Sequence, residues 1–391
     1  MEKTGLITKF QEVFGYEPSG FASAPGRVEL LGNHTDHQNG KVLAASVNLK
    51  AYAAFAPRKD QTIELYSEGR GKITVSLQEL SPDESEYGTS TSLIRGMAYA
   101  FLDRSGSASL PYGFDAYVFS EVLTGSGLSS SAAFEVLIGR ILNELYVPDV
   151  AAEPLSDIDV AIAGQFAENQ FFGKPCGLMD QMACSVGQIV AIDFKDPADP
   201  VIEQITFDFA DAGYALCAVD SGASHDDLTA EYAAIPADMK AIAHYFGKEV
   251  LRDVNPGLLS DDLKLFVGER PLRRAKHFFA ETARVERAVS ALKENNLAAF
   301  FENVNASGIS SRDVLQNVVP ASDPSNTRLL TAMETAREIL GGEGAVRING
   351  GGFAGTILAF VPLEKLDDFR EKIEAAIGSG CCHVLQIESN R

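Results

Sequence analysis

Between Ala24 and Gly40 the chain reads Ala24-Pro25-Gly26-Arg27-Val28-Glu29-Leu30-Leu31-Gly32-Asn33-His34-Thr35-Asp36-His37-Gln38-Asn39-Gly40. An apolar approach ends in a dense run of amides, imidazoles, a hydroxyl and a carboxylate. Fixed donors and acceptors at that density suit a polyhydroxylated ligand, with Asp36 able to accept from neighbouring hydroxyls. The same residues also fit a polar turn capped by an Asx side chain.

A second segment, Gly125-Ser126-Gly127-Leu128-Ser129-Ser130-Ser131-Ala132-Ala133, precedes a helical pattern. Glycines let successive N–H groups converge, and Ser129, Ser130 and Ser131 add hydroxyls at a helix N-terminus, where the dipole favours an anion. The chemistry is a phosphate cradle, in which a side chain at Gly127 is expected to fill space the phosphates need. No Gly-Lys-Ser/Thr closes the segment, so it is not a Walker A loop. A serine-capped helix after a plain turn is the alternative.

Gly350, Gly352 and Gly355 match G-x-G-x-x-G, yet Thr356-Ile357-Leu358-Ala359-Phe360-Val361 follows as a strand. A dinucleotide fingerprint demands a helix there, so the loop either lines a ligand or makes a tight turn. In Gly173-Lys174-Pro175-Cys176-Gly177-Leu178-Met179-Asp180-Gln181, Asp180 stands as a general base or as the N-cap of a following helix. Ser224-His225-Asp226 are adjacent in sequence, whereas hydrolase triads are assembled from distant segments, so the trio carries no weight.

These loops need a frame. Short apolar runs at Val42–Val47 and Ala51–Phe55 read as neighbouring strands, and Ile63–Tyr66 with Ile73–Leu77 as a hairpin. Helical spacing marks Thr91–Leu102, Ser131–Leu145 and Asp157–Phe172; strands are expected at Phe114–Val122, Ile189–Phe194 and Ala215–Val219. Helices then dominate at Leu228–Phe246, Leu272–Lys293 and Thr327–Leu340. A strand pair at Ala345–Ile348 and Thr356–Pro362 and a helix at Leu366–Ile377 close the pattern. Without a strict βαβ rhythm the fold class is α+β.

The 391 residues carry a formal charge of −21, and so lack the basic stripe that nucleic acid or an anionic membrane surface requires. No run of eighteen apolar residues is present. The five cysteines form no C-x-x-C pair, so a reducing, cytoplasmic compartment is expected.

Taken in order, these segments resemble the GHMP kinase superfamily and, within it, the galactokinases. Gly26 to Asp36 is similar to the galactokinase signature GRxNLIGEHTDY, Gly125 to Ala133 to the ATP-phosphate loop GxGLSSSA, and Gly350 to Gly355 to GGGFGG. Cys176 to Gln181 matches CGIMDQ, which carries the family's catalytic aspartate. Asp220-Ser221 and Glu231-Tyr232 fall where galactokinases have a DS pair and a sugar-contacting tyrosine. The resemblance implies a two-domain fold: residues 1–205 like ribosomal protein S5 domain 2, residues 206–391 ferredoxin-like. It also implies ATP- and Mg²⁺-dependent phosphorylation of a sugar at C1. Asp180 and Arg27 would be catalytic. Arg27, Asn33, His34, Asp36, Gly177, Asp180 and Tyr232 would meet the sugar. Gly125, Ser126, Gly127, Leu128, Ser129, Ser130, Ser131, Gly351 and Gly352 would meet ATP, and Ser130 and Glu168 the metal. A monomer is expected, with a homodimer as the alternative.

The signature is broken at three places: Glu29 replaces Asn, Asn33 replaces Glu and His37 replaces Tyr. The family's glutamate at position 33 is implied to hold the sugar's C6 end. An amide there admits galactose or a C6-oxidised sugar such as galacturonate, since it removes carboxylate repulsion. His37-Gln38 also looks like the plant galacturonokinase pattern GAHIDHQ. Ile235-Pro236 stand near the place of two arginines that usually follow the tyrosine. A non-catalytic sugar and ATP sensor is a third possibility, opposed by the retention of Asp180 and Arg27.

Overall fold

The structure, a computed structural model, describes residues 2–122, 125, 127–150, 153–224 and 228–388, with backbone alone at 148–150. Ser126, His225 and Asp226 therefore lie outside the described residues. By packing, the chain groups into two compact units that interleave in sequence. Unit one is Met1–Gly26, Leu49–Leu123 and Ser129–Gly187; unit two is Arg27–Asn48, Thr124–Leu128 and Gln188–Arg391.

Unit one holds α1 (Lys3–Phe14), the start of β1 (Gly20–Leu31), the end of β2 (Lys41–Pro57), β3 (Thr62–Ser67), β4 (Gly71–Ser76), α2 (Ser90–Ser105), β5 (Phe114–Ser120), α3 (Ser130–Val150), α4 (Asp157–Ala167) and α5 (Met179–Val186). Strands β3 and β4 form the expected hairpin, β5 runs parallel to β3, and Ala51–Pro57 pairs antiparallel with β5. Leu6 and Phe10 of α1 pack on Ala54, Ala56 and Tyr117. The two apolar runs expected as neighbouring strands are successive parts of one strand, β2. Asn48-Leu49-Lys50 between them contains neither Gly nor Pro, so nothing forces a turn. Helix α4 starts at a capping box, Ser156 and Asp159 each satisfying the other's backbone N–H.

Unit two holds β6 (Ile189–Asp193), β7 (Val201–Ile205), β8 (Tyr214–Asp220), α6 (Thr229–Tyr245), α7 (Lys264–Val267), α8 (Glu269–Lys293), α9 (Leu297–Ser310), α10 (Arg328–Leu340), β9 (Ala345–Asn349), β10 (Thr356–Pro362), α11 (Leu366–Ile377) and β11 (Cys382–Leu385). The start of β2 pairs with β6, and β6 with β7. A second sheet runs β11-β8-β10-β9, wholly antiparallel. With its helices this is the βαββαβ, ferredoxin-like arrangement. Its central strand β10 is buried along its whole length. Ile357, Ala359 and Val361 meet Leu329, Met333, Ala336 and Phe369 of the helices, while Phe360 packs on Phe209, Phe300 and Phe301. A strand covered on both faces reads as a continuous apolar run, which is why it was legible in the sequence.

Candidate active site

In unit one, Ser129 adopts φ 58°, a left-handed conformation uncommon for serine, and its hydroxyl donates to Asp180 Oδ2. Helix α3 begins at the next residue, Ser130. Asp180 lies within the first turn of α5; the N-cap position is Leu178, and it makes no side-chain cap. The capping alternative for Asp180 is thereby replaced: its half-buried carboxylate is held by a residue of the phosphate-loop motif. Gly177, also half-buried, immediately precedes that turn.

Where α4 ends, the chain makes a single π-turn over Glu168–Phe172, a distortion frequent at functional sites. It carries Glu168 into the buried interior of unit one. Its Oε1 accepts from Lys174 Nζ at 2.9 Å and from the Ser131 hydroxyl at 3.3 Å. Gln181 Nε2 donates to Glu168 Oε2 at 2.8 Å and to Glu135 Oε2 at 3.0 Å. Burial, and then the Glu168 charge, push the Glu135 carboxyl well above the usual carboxylate range. Burial and Glu168 also push the Cys176 thiol up. Glu135 Oε1 and Gln181 Oε1 are buried without a partner. The oxygens of Glu168 and Ser131 suit a hard divalent cation that keeps most of its water, although the Lys174 ammonium shares Glu168 and no group of three or more His, Cys, Asp or Glu that could hold a metal ion is found among the described residues. The serine hydroxyl that reaches Glu168 is that of Ser131.

In unit two, the loop after β1 is built around buried Thr35, whose hydroxyl donates to the carbonyls of Gly32 (2.9 Å) and Lys41 (2.7 Å). Asp36 is half-buried and its Oδ1 accepts from the N–H of the next residue, His37, at 2.9 Å. His34 and His37 lie with ring centroids 5.5 Å apart, and burial holds both imidazoles below their ordinary pKa. Asn33 is fully buried and its amide is fully engaged by the protein. Its nitrogen donates to the Gly350 carbonyl (2.7 Å) and to Glu29 Oε1 (3.1 Å); its oxygen accepts from Asn317 Nδ2 (2.8 Å) and Ser311 (3.1 Å).

The loop Gly350–Gly355 joins β9 to β10 as an antiparallel hairpin, Thr356 opposite Asn349, so the dinucleotide pattern is indeed a strand–loop–strand turn. At Gly352, φ is 81° and an added Cβ would lie 2.1 Å from the Asn317 carbonyl, so only glycine fits. Gly351 and Gly352, expected to face ATP, present their carbonyls to His34 Nε2 (2.9 Å) and the Tyr232 hydroxyl (2.7 Å) respectively. The Gly127 carbonyl accepts from Arg27 Nη1 at 2.5 Å and Asn349 Nδ2 at 2.9 Å, and that of buried Leu128 accepts from the Arg27 N–H at 3.0 Å. Gly125 is exposed, with φ 78°. A Cβ at Gly127 would lie 2.6 Å from Thr356 Oγ1. A side chain there would also strike the β9–β10 hairpin.

Several residues that support the site escaped the sequence reading. Glu281 of α8 accepts from the N–H groups of Gly32 (3.1 Å) and Asn33 (3.4 Å), and His277 Nε2 donates to the Asn33 carbonyl at 2.9 Å. Their signal was present: His277 and Glu281 interrupt the apolar stripe Ala275, Phe278, Val285, Ala288 on the buried face of the helix. Asn317, Ser311, Arg347 and Asn349 had no such signal.

Burial holds His277 down at about 4. Burial alone would raise Glu281, but His277, Arg284 and Arg347 hold it down at about 2. Both folded values lie below the ordinary ones of about 6.5 and 4.3. Stability from neutral His277 is therefore present above about pH 6.5 and lost as pH falls toward 4; that from Glu281 is lost lower, between about 4.3 and 2. The melting temperature is expected to drop between about pH 6.5 and 4, and His277→Gln is expected to flatten that limb by several degrees. A variant that keeps the parent's slope would show that another group governs it.

The chain was compared with known proteins. Residues 8–57 match the model of the galactokinase galactose-binding signature, and residues 92–188 that of the GHMP kinases N terminal domain. A galactokinase of Actinobacillus pleuropneumoniae is 31% identical over 376 residues, covering 93% of this chain and 91% of its own. One from Glaesserella parasuis is 32% identical over 375 residues, covering 94% and 91%. The crystal structure of Lactococcus lactis galactokinase complexed with galactose superimposes with a TM-score of 0.84 at 26% identity, covering 99% of this chain and 98% of that one. The Methanococcus jannaschii mevalonate kinase, at 14% identity and a TM-score of 0.67, covering 95% and 98%, shares the fold. The fold is that of the GHMP kinases.

Proposed function

Because the chain belongs to the galactokinase family of GHMP kinases, we propose that it transfers the γ-phosphoryl group of ATP to the anomeric C1 hydroxyl of galactose, giving galactose 1-phosphate. The observation that carries the reading is the hydrogen bond from Ser129 to Asp180. It ties the residue that opens the phosphate-side helix to the carboxylate proposed to act on the acceptor.

Phosphoryl transfer asks for placement, charge neutralisation and a destination for the hydroxyl proton. Asp180 takes or orients that proton at the C1 oxygen. Arg27, the second proposed catalytic residue, balances charge on the transferring group. The N–H groups and hydroxyls from Gly125 through Ser131 receive the phosphates, and His34, Asp36, Gly177 and Tyr232 orient the sugar. Glu168 and Ser130, with Ser131 alongside, would hold Mg²⁺, which when bound neutralises phosphate charge. The family's domain boundary is proposed between residues 205 and 206, distinct from the packing units. The five cysteines are unpaired, which fits a reducing, cytoplasmic setting, and we propose a monomer. Among the described residues no helix is long and apolar enough to cross a membrane.

A panel of ATP with galactose, galacturonate, glucuronate and N-acetylgalactosamine tests the reading. Galactose is expected to show the highest kcat/KM. A preference for galacturonate by about tenfold or more would replace galactose with the uronate as substrate. Binding of sugar and ATP without turnover of any acceptor would make the protein a sensor.

A further inference from the structure

Two of the three departures from the family signature touch each other. Where that signature places an amide at position 29 and a carboxylate at 33, this chain has Glu29 and Asn33, and Asn33 Nδ2 lies 3.1 Å from Glu29 Oε1. Both side chains are buried. Glu29 is paired with Arg347 at 2.6 Å, and that guanidinium also donates to the Glu29 carbonyl. The Glu29 N–H in turn donates to Asn349 Oδ1 at 2.8 Å. A carboxylate in this setting is tolerable because a guanidinium and an amide both face it.

We infer that Glu29 and Asn33 are an exchanged carboxylate–amide pair acting as one positioning unit. The carboxylate stands at 29 against Arg347, and Asn33 suspends the Gly350 carbonyl from the end of β1 without touching the acceptor. Every hydrogen-bonding position of the Asn33 amide is occupied by protein, so contact with a sugar would require breaking one of those bonds. Its influence reaches further through the loop. The three successive carbonyls of Gly350, Gly351 and Gly352 accept from Asn33, His34 and Tyr232. A loop that loses its first anchor displaces the partners of His34 and Tyr232, which orient the acceptor. For the identity of that acceptor the inference rests on the proposed galactose kinase activity.

The test is a mutant cycle on the full chain with near-isosteric changes: Asn33→Asp, Glu29→Gln and the two together. Asn33→Asp sets a second carboxylate against Glu29 and against the Gly350 carbonyl. Glu29→Gln leaves Arg347 without its charge partner. Each single change is expected to raise the KM for galactose by about tenfold or more, with the KM for ATP unchanged and kcat less affected. In the double variant one carboxylate again stands beside one amide, so its KM is expected to fall at least about tenfold short of the product of the singles. Multiplicative effects would overturn the pairing, as would singles with the parent's galactose KM. A shift of more than about 30-fold in the galactose-to-galacturonate preference of Asn33→Asp would place position 33 against the acceptor and overturn the positioning role. Melting temperatures of the same four proteins provide a readout independent of catalysis. Non-additive losses support the pair, and additive losses sink it. If the parent phosphorylates no galactose at all, the proposed function fails while the thermal cycle still decides the pair.

Discussion

Replacing Asp180 by asparagine is expected to lower kcat by about 10²-fold or more, the usual range for loss of a positioned acid–base group. That corresponds to about 3 kcal/mol or more of transition-state stabilisation. The change should leave the fold intact. Asparagine has nearly the same shape, and its Oδ1 can still accept from the Ser129 hydroxyl that now bonds to Asp180 Oδ2. Position 180 lies inside the first turn of α5, past the N-cap residue Leu178, and asparagine keeps an acceptor oxygen there. What asparagine cannot do is take the proton of the attacking hydroxyl. Steady-state kinetics with galactose and ATP, together with the melting temperature, separate the two effects. Turnover within about threefold of the parent would remove Asp180 from the catalytic role.

Gly127→Val is expected to abolish ATP binding. The backbone at Gly127 has φ 70°, and a left-handed conformation costs a residue with a Cβ about 1–2 kcal/mol. The new Cβ would also lie 2.6 Å from Thr356 Oγ1 and 3.4 Å from the Asn349 carbonyl. Valine, branched at that atom, cannot be accommodated without moving the loop away from β9 and β10. The Gly127 carbonyl would then lose Arg27 and Asn349 as donors, and the N–H groups that follow it would lose their aim. The rise in melting temperature that ATP and Mg²⁺ produce in the parent should disappear in the variant, whereas galactose should still raise it. An unchanged ATP affinity in Gly127→Val would mean that this loop does not hold the phosphates.

Much of the molecule was legible because local chemistry and tertiary context agree. The apolar spacing of Leu329, Ala332, Met333, Ala336 and Leu340 is that of a helix lying on a sheet, and these residues are the buried stripe of α10. The strand pattern after Gly355 by itself excludes a dinucleotide fold, because a phosphate-binding fingerprint needs a helix dipole behind it. The weak points were elements with little pattern of their own. Strand β11 spans only Cys382–Leu385, and its pairing with β8 comes from a partner far away in sequence. Helix α9 mixes Asn and Ser with apolar residues on its buried face, which blurs its period.

Residue types and spacing alone indicated a serine loop suited to phosphate, a polar loop suited to a polyhydroxylated ligand and an acid fit to be a base or a cap, and the order of the motifs carried the resemblance to a kinase family. Those are properties of short segments, and a short segment states its own composition. Tertiary structure alone decided which groups are spent and which are supported. Asn33 read as a sugar ligand by its place in a motif, but four protein partners from separate segments occupy its amide. Asp180 read as a cap or a base, and its place inside the first turn of α5, after the N-cap residue Leu178 and against the Ser129 hydroxyl, takes it out of the N-cap position. Glu281, His277 and Asn317 lie between 244 and 284 residues beyond the loop they brace. A hydrogen bond depends on distance and direction in space, to within a few tenths of an ångström, and sequence separation carries no information about either.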